Sequence, residues 1–243
     1  MKGLSIIVPT LNEEGNIKAL TERISMAMNK YNIEYEILFI DDNSIDKTAQ
    51  TVTSLHTDYP VSLHTKRGLK GKAHSILEGC SYAKYDIVAF IDADLQYPPE
   101  ALPHMYGLIM DNQTDIVVTR RIVKYSSFIR QAMSNGFRIV FGYWLHGMNF
   151  DIQSGLKMYR KSIMQAFELN PSPWSFDLEF LVKAQKAGYS ITSVDIDFTH
   201  RTAGETKVGF IKASYEVGLA AVKLKLGMIE FVHLRPKFMR KES

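Results

Sequence analysis

The sequence predicts an α/β fold: one domain with a mostly parallel sheet flanked by helices, and a helical extension at its C-terminal end. Three observations carry this expectation. Over the first 120 residues, short runs rich in β-branched residues alternate with helix-length segments. Those runs are almost continuously apolar, as strands covered on both faces must be. No Gly/Ser linker, repeat or low-complexity tract divides the 243 residues.

In chain order, "LSIIVP" (4–9) reads as a first strand and 14–30 as a helix. "YEILFID" (35–41) is a second strand, and Asp46 is placed to cap a helix over 46–56. "PVSLHT" (60–65) precedes a helix over 71–83, and "DIVAFID" (86–92) precedes Pro98-Pro99, which start a helix over 99–111. "DIVVT" (115–119) is a fifth strand. The pattern then changes to "RRIVKYSSFIRQAMSNGFRIVFGYWLHGMNF", where Phe137, Ile139, Val140, Phe141, Tyr143, Trp144 and Leu145 crowd together. That run reads as a core helix, or as an amphipathic segment lying in a bilayer interface. A strand at "SGLKMYR" (154–160), a helix over 176–187, a strand at "ITSVDIDF" (191–198) and a long helix over 208–232 complete the chain.

Composition narrows the class. Cys80 is the one cysteine, which excludes an internal disulfide and fits a reducing compartment. Lys2 leads straight into the first strand, without the pattern of a secretion signal. No window reaches the ~18 uninterrupted apolar residues of a membrane span. The net charge of +3 is uneven: residues 1–100 carry 10 Lys and Arg against 14 Asp and Glu, and residues 201–243 carry 9 against 4. The basic end, "RPKFMRKES", is a solvated tail or a surface for anionic headgroups or nucleic acid.

Open α/β sheets place their sites at the carboxyl ends of the strands. Here "VPTLNEE", "FIDDNS" and "FIDADLQ" each end a strand in acidic or polar residues. The first turn, "PTLNEEGN", lacks the G-x-G-x-x-G of a dinucleotide-binding dehydrogenase. Asp92, Asp94 and Gln96 offer hard oxygen ligands suited to Mg²⁺ or Mn²⁺, or else make a structural turn. No Cys/His cluster suggests zinc. Gly68, Gly71 and Lys72 in "GLKGKA" offer a phosphate or ribose contact at a helix start. Asp151 is open between a structural cap and a donor-site acid. Asp177 and Glu179, two apart on a helix, point in different directions and are expected on a solvated face.

Taken in order, "IIVPTLNEEGNI", "FIDDNSIDKT", "FIDADLQYPPE" and "DIVVTRR" resemble the family-two glycosyltransferases of the GT-A fold, with its Rossmann-like sheet. "IRQAMSNG", "DIQSGLKMYRK" and "HRTAGETKVG" narrow the resemblance to dolichol-phosphate mannose synthases and related polyprenyl-phosphate glycosyltransferases. The resemblance implies a glycosyltransferase domain over 1–207, with a nucleotide-sugar half (1–120) and an acceptor half (121–207). Residues 208–243 then form a helix and basic tail that associate with a membrane. It implies metal-dependent, inverting transfer of a hexose from GDP-mannose, or alternatively UDP-glucose, to a polyprenyl (dolichyl) phosphate. Pro9, Glu13, Asp41, Asp42, Asp92 and Ala93 fall at donor contacts, and Asp92, Asp94 and Gln96 at the Mg²⁺ or Mn²⁺ ligands. Arg121, Arg130 and Ser134 fall where the family holds the acceptor phosphate, with Asp94, Arg121, Arg130 and Ser134 carrying the catalysis. Arg201 and Lys207 match a basic pair on a loop over the donor, Arg201 also reaching the acceptor phosphate.

Two positions depart from the pattern. Leu11 stands where an aromatic is common, and Arg120 where a small residue is common, so Arg120 and Arg121 compete for one role. The implied location is the cytoplasmic face of a membrane, peripherally bound, with the membrane surface and a membrane protein as partners and no nucleic acid. Two other readings stand beside this one. A hydroxyl acceptor, as in polysaccharide or glycolipid assembly, would need a base such as Asp151 or Asp177. A non-catalytic donor-binding subunit would need neither.

Overall fold

The computed structural model describes residues 2–122, 150–170, 172, 175–198 and 210–226. Within them lies a seven-stranded sheet of order β3-β2-β1-β4-β6-β5-β7. The strands are β1 (Leu4–Thr10), β2 (Tyr35–Asp41), β3 (Val61–Thr65), β4 (Ile87–Ile91), β5 (Ile116–Ile122), β6 (Leu156–Arg160) and β7 (Ile191–Asp197). Neighbours pair in parallel except at β6, which runs antiparallel to both β4 and β5. The expected mostly parallel sheet is therefore the observed one. All seven expected strands are present, with ends shifted by at most three residues.

Helices cover both faces. They are α1 (Glu14–Lys30), α2 (Thr48–Leu55), α3 (Lys72–Tyr82), α4 (Leu102–Met110), the short α5 (Lys161–Met164), α6 (Phe176–Lys186) and α7 (Phe210–Lys225), with a 3₁₀ turn at Pro99–Ala101. Because alternate strand residues face opposite sides, each strand feeds two cores. Ile6, Val8, Ile37, Phe39, Ala89 and Met158 pack with Leu20, Val52 and Met105 of α1, α2 and α4. Ile7, Leu38, Val88, Phe90 and Tyr159 pack with Ile76, Leu181 and Ala221 of α3, α6 and α7. On α1 the buried Ile17, Leu20, Ile24 and Met28 recur at helical spacing, with Lys18 and Glu22 paired on the outer face. Among the described residues no helix is long and apolar enough to cross a membrane.

The loops after β1 and β2 are laced together. The Asn12 and Glu13 amides donate to Ser44 Oγ (2.9 Å) and Thr48 Oγ1 (2.8 Å). The Glu14 amide donates to Asp46 Oδ2 (3.2 Å), and the Ile45 and Lys47 amides donate back to Asn12 Oδ1 (2.9 Å) and Glu14 Oε2 (2.8 Å). Asp46 also accepts the Thr48 amide at 2.9 Å, but α2 begins at Thr48 with Lys47 in the N-cap position, so the expected cap, Asp46, lies one residue ahead of that position. Asn12 and Asn43 take the left-handed conformation, at φ 57° and 64°, where asparagine is well tolerated.

Candidate active site

The carboxyl ends of β1, β2, β4 and β5 bring the expected acids to one edge of the sheet. At the β2 end, both Asp41 and Asp42 are buried. Asp41 is held by its own turn: Oδ1 accepts Ser44 Oγ at 2.5 Å and Oδ2 accepts the Ser44 amide at 3.0 Å. Asp42 Oδ2 accepts the Gly71 amide at 2.7 Å. Lys66 Nζ lies 3.2 Å from Asp42 Oδ1, but off the hydrogen-bonding direction, and it donates to the Gly71 carbonyl at 3.1 Å. Asp42 Oδ1 is thus a buried carboxylate oxygen that accepts no hydrogen bond. Such an oxygen is an invitation to a hydroxyl or an amide donor. Pro9 is half-buried opposite Ile40, and Glu13 precedes α1 with Oε2 accepting from Asn16 at 2.7 Å.

Beyond β4, Ala93 and Asp94 are buried, while Asp92 and Gln96 are partly accessible. The Gln96 amide turns back onto Asp94 Oδ1 (3.2 Å) through Leu95 in the left-handed region at φ 60°. That conformation is uncommon for a leucine and fixes the D-x-D-x-Q turn sharply. The Asp92 amide donates to the Gly155 carbonyl at 3.0 Å. A Cβ at Gly155 would stand 2.6 Å from both Asp92 Cγ and the Tyr97 ring, so only glycine lets the carboxylate lie there. Lys72, first residue of α3, approaches Asp92 Oδ1 to 2.5 Å. The phosphate-contact candidate therefore sits on the candidate metal ligand. Two carboxylates and an amide from one tight turn form a donor set that fits Mg²⁺ or Mn²⁺. Among the described residues no cluster of three or more His, Cys, Asp or Glu that could hold a metal ion occurs, at this turn or elsewhere.

Consecutive strand residues face opposite ways, and this separates the two arginines at the β5 end. Arg120 turns outward to a two-point pair with Asp195, its neighbour on β7, at 2.5 and 2.7 Å. Arg121 turns inward: Nε and Nη2 donate to Asp151 Oδ2 and Oδ1 at 2.5 and 3.1 Å, and the guanidinium lies 5.3 Å from the Phe198 ring. Burial opposes the Arg121 charge, but Tyr97, Asp151 and Asp92 outweigh it and hold the guanidinium above its ordinary pKa. Burial likewise pushes the Tyr97 hydroxyl up to about 12, although Arg121 pulls the other way.

Beneath Lys72 lies a residue that sequence reasoning missed. Lys157, read only as a strand residue of "SGLKMYR", is fully buried on β6. It donates to the Ser154 carbonyl at 2.6 Å and to Asp177 Oδ1 at 2.9 Å, 5.1 Å from the Phe90 ring. Burial depresses its pKa, and Asp177 opposes that shift. The expectation of a solvated face for Asp177 and Glu179 is therefore wrong. Asp177 is the partner of Lys157, and Glu179, 3% exposed, pairs with Lys183 at 2.7 Å and accepts the Asn170 amide at 3.2 Å. Their divergence along the helix is as expected; what a helical pattern does not display is a cation buried in a neighbouring strand. Arg130, Ser134, Arg201 and Lys207, the aromatic run 137–150 up to residue 149, and the basic tail lie outside the described residues, while Phe150 at the end of that run is buried in the core and not at a surface.

Comparison with known proteins follows the same lines. A family model described as glycosyl transferase family 2 matches residues 5–167. The dolichol-phosphate mannosyltransferase of Pyrococcus furiosus is 33% identical over 213 residues, covering 84% of this chain and 59% of that protein. The undecaprenyl-phosphate 4-deoxy-4-formamido-L-arabinose transferase of Pectobacterium atrosepticum is 28% identical over 217 residues, covering 87% of this chain and 64% of its own length. This chain thus spans less than two thirds of the length of either relative. Glucosyl-3-phosphoglycerate synthase from Mycobacterium tuberculosis, solved with Mn²⁺, UDP and glucosyl-3-phosphoglycerate, superposes with a TM-score of 0.74 at 16% identity, over 93% of this chain and 80% of that one. The same enzyme solved with Mg²⁺ and UDP gives the same score, identity and coverage. At that identity the likeness is one of fold.

Proposed function

The chain belongs to glycosyl transferase family 2, and from that premise we propose that it moves a hexose from a nucleotide sugar to a polyprenyl phosphate with inversion, mannose from GDP-mannose being the first candidate and UDP-glucose the second. One observation carries the choice of acceptor. The two acids available as a general base are both already engaged. Both oxygens of Asp151 accept from Arg121, and Asp177 accepts from the buried Lys157. A sugar hydroxyl needs a base to become a nucleophile, whereas a phosphate is ionised at neutral pH and needs none. The pairing therefore supports the lipid-phosphate reading over a hydroxyl acceptor. The names of the relatives from Pyrococcus and Pectobacterium point the same way.

The residues divide the work along the crevice. Asp42, ion-paired with Lys66 and holding the Gly71 amide, faces the nucleoside end of the donor, beside Asp41, Pro9 and Glu13. Asp92, Asp94 and Gln96 would hold Mg²⁺ or Mn²⁺, which when bound neutralises charge growing on the leaving diphosphate. Arg121 is an inward-facing, always-charged fork suited to two-point recognition of phosphate. Held on Asp151 through Nε and Nη2 and lying over the Phe198 ring, it keeps that pair and offers its remaining N–H groups to phosphate oxygens. By resemblance Arg130 and Ser134 add to the acceptor side, and Arg201 and Lys207 to the donor side.

The test is a donor screen with a short polyprenyl phosphate, Mg²⁺ or Mn²⁺, and mass-spectrometric detection of the glycolipid. Product is expected in one donor lane, lost on chelation and lost in Asp94→Asn with an unchanged melting curve. Transfer to free sugars but not to the lipid phosphate would overturn the acceptor. Undiminished turnover by Asp94→Asn would overturn the metal role.

A further inference from the structure

Lys72 occupies the junction of the two halves of the donor site. Its backbone follows Gly71, whose amide donates to Asp42 Oδ2 at 2.7 Å and whose carbonyl accepts from Lys66 at 3.1 Å. Its ammonium lies 2.5 Å from Asp92 Oδ1 and 5.6 Å from the Phe90 ring centroid, and Asp177 attracts it from below. Gly71 itself is at φ 116°, a conformation that leaves the first turn of α3 dependent on the Asp42 and Lys66 contacts.

An ammonium at this distance and a divalent cation compete for one carboxylate oxygen, because each brings its own positive charge to the same point. We propose that Lys72 is a positioning residue that neutralises Asp92 in the donor-free enzyme, so that the divalent cation enters together with a nucleoside diphosphate and not ahead of it. The inference rests on the nucleotide-sugar reading above. A diphosphate supplies both things the exchange requires. Its oxygens complete the coordination of the incoming cation, and its negative charge receives the ammonium that leaves Asp92. Asp42 links the events: a nucleoside that takes its hydrogen bonding alters the hold on Gly71, one peptide from Lys72. Lysine suits this role, since a compact ammonium on a flexible stem can pivot between two anions.

Mn²⁺ binding, read from the electron paramagnetic resonance signal of the free ion, tests the proposal without turnover. Wild type, Lys72→Met and Lys72→Arg are each titrated alone, with GDP and with UDP, after their melting curves have been compared. Wild type alone is expected to bind weakly, and to bind about tenfold or more tightly with the nucleotide it accepts. Lys72→Met alone is expected to bind Mn²⁺ about tenfold more tightly than wild type alone, with most of the nucleotide enhancement gone. Lys72→Arg, which keeps the charge, is expected to bind Mn²⁺ as weakly as wild type in the absence of nucleotide. Equal affinity of Lys72→Met and wild type without nucleotide overturns the proposal while leaving the metal site standing. Absence of Mn²⁺ binding in every protein, with either nucleotide, overturns the metal-dependent donor site and the proposal with it. If Lys72→Met does not melt cooperatively, Lys72→Gln keeps much of the stem and answers the same question.

Discussion

A methyl group on residue 155 would meet the Asp92 carboxylate and the Tyr97 ring together, 2.6 Å from a carbon of each. Gly155→Ala is therefore expected to displace the candidate metal ligand, lowering transfer about a hundredfold and stability by about 1–3 kcal/mol. Steady-state rates beside a urea melt separate the two effects; activity within twofold of wild type would show that Asp92 does not need the space. The second residue-scale prediction concerns the buried lysine. Lys157→Met leaves Asp177 without its partner and should cost about 2–4 kcal/mol, whereas Lys157→Met with Asp177→Leu should regain most of it. Chemical denaturation of the three proteins checks this, and no recovery in the double variant would refute a simple pair. At this scale the positions of Asp92, Asp94, Gln96 and Arg121 at strand ends were legible in the sequence, while their roles belong to the proposed function. The sequence was opaque at Gly155 and Lys157, whose meaning comes from side chains remote in the chain: Asp92 across a strand pair, Asp177 across a helix. Nothing local distinguishes a lysine that faces water from one that faces another element.

At the scale of elements, α3 shows how closely the helices pack on the sheet. A Cβ on Gly79 would lie 2.6 Å from Ile7 Cγ2, and Cys80, one residue on, is buried with Sγ 3.3 Å from Tyr159 Oη. Burial pushes the Cys80 thiol from 9.0 up to about 11. The folded state thus keeps a proton that the unfolded chain releases near pH 9. Stability contributed below that point is lost as pH rises toward 11, by up to about 3 kcal/mol. Cys80→Ser cannot titrate there and keeps a hydroxyl for Tyr159. Its stability should fall less between pH 9 and 11, as denaturant midpoints will report; parallel curves would contradict the assignment. Strand and helix positions were readable because period and apolar runs are local signals. The antiparallel sense of β6 was not, since direction depends on which neighbour the strand joins. Asp177 and Glu179 belong to the same lesson. A helix first turn rich in acid resembles a solvated face until Lys157 of β6 is placed against Asp177; Glu179 pairs within the helix, with Lys183 one turn on.

At the scale of the whole molecule, a water-insoluble acceptor must be met at its own surface. The sequence carries a basic C-terminal end and the aromatic run 137–145, in the half that the resemblance assigns to the acceptor. On the proposed function, the protein is expected to co-sediment with vesicles containing anionic lipid at low salt and to be released as salt rises. Equal recovery in the supernatant with and without such vesicles at low salt would remove the membrane-docking proposal. The overall architecture was the most legible level of all, because alternating strands and helices with doubly buried strands leave few other folds. The acceptor side is proposed through resemblance alone, since isolated arginines resemble ordinary surface ion pairs such as Arg120 with Asp195.

On the proposed function, the lacing of the loops after β1 and β2 bears on how donor preference can be altered. Each loop supplies both donors and acceptors to the other, through Asn12, Glu13 and Glu14 on one side and Ser44, Ile45, Asp46, Lys47 and Thr48 on the other. A substitution in one loop is then felt as a fault in its mate, and single exchanges between relatives of different base choice should be worse than their sum. Residues 11–14 and 41–48 form one transplantable cassette, to be moved between relatives together.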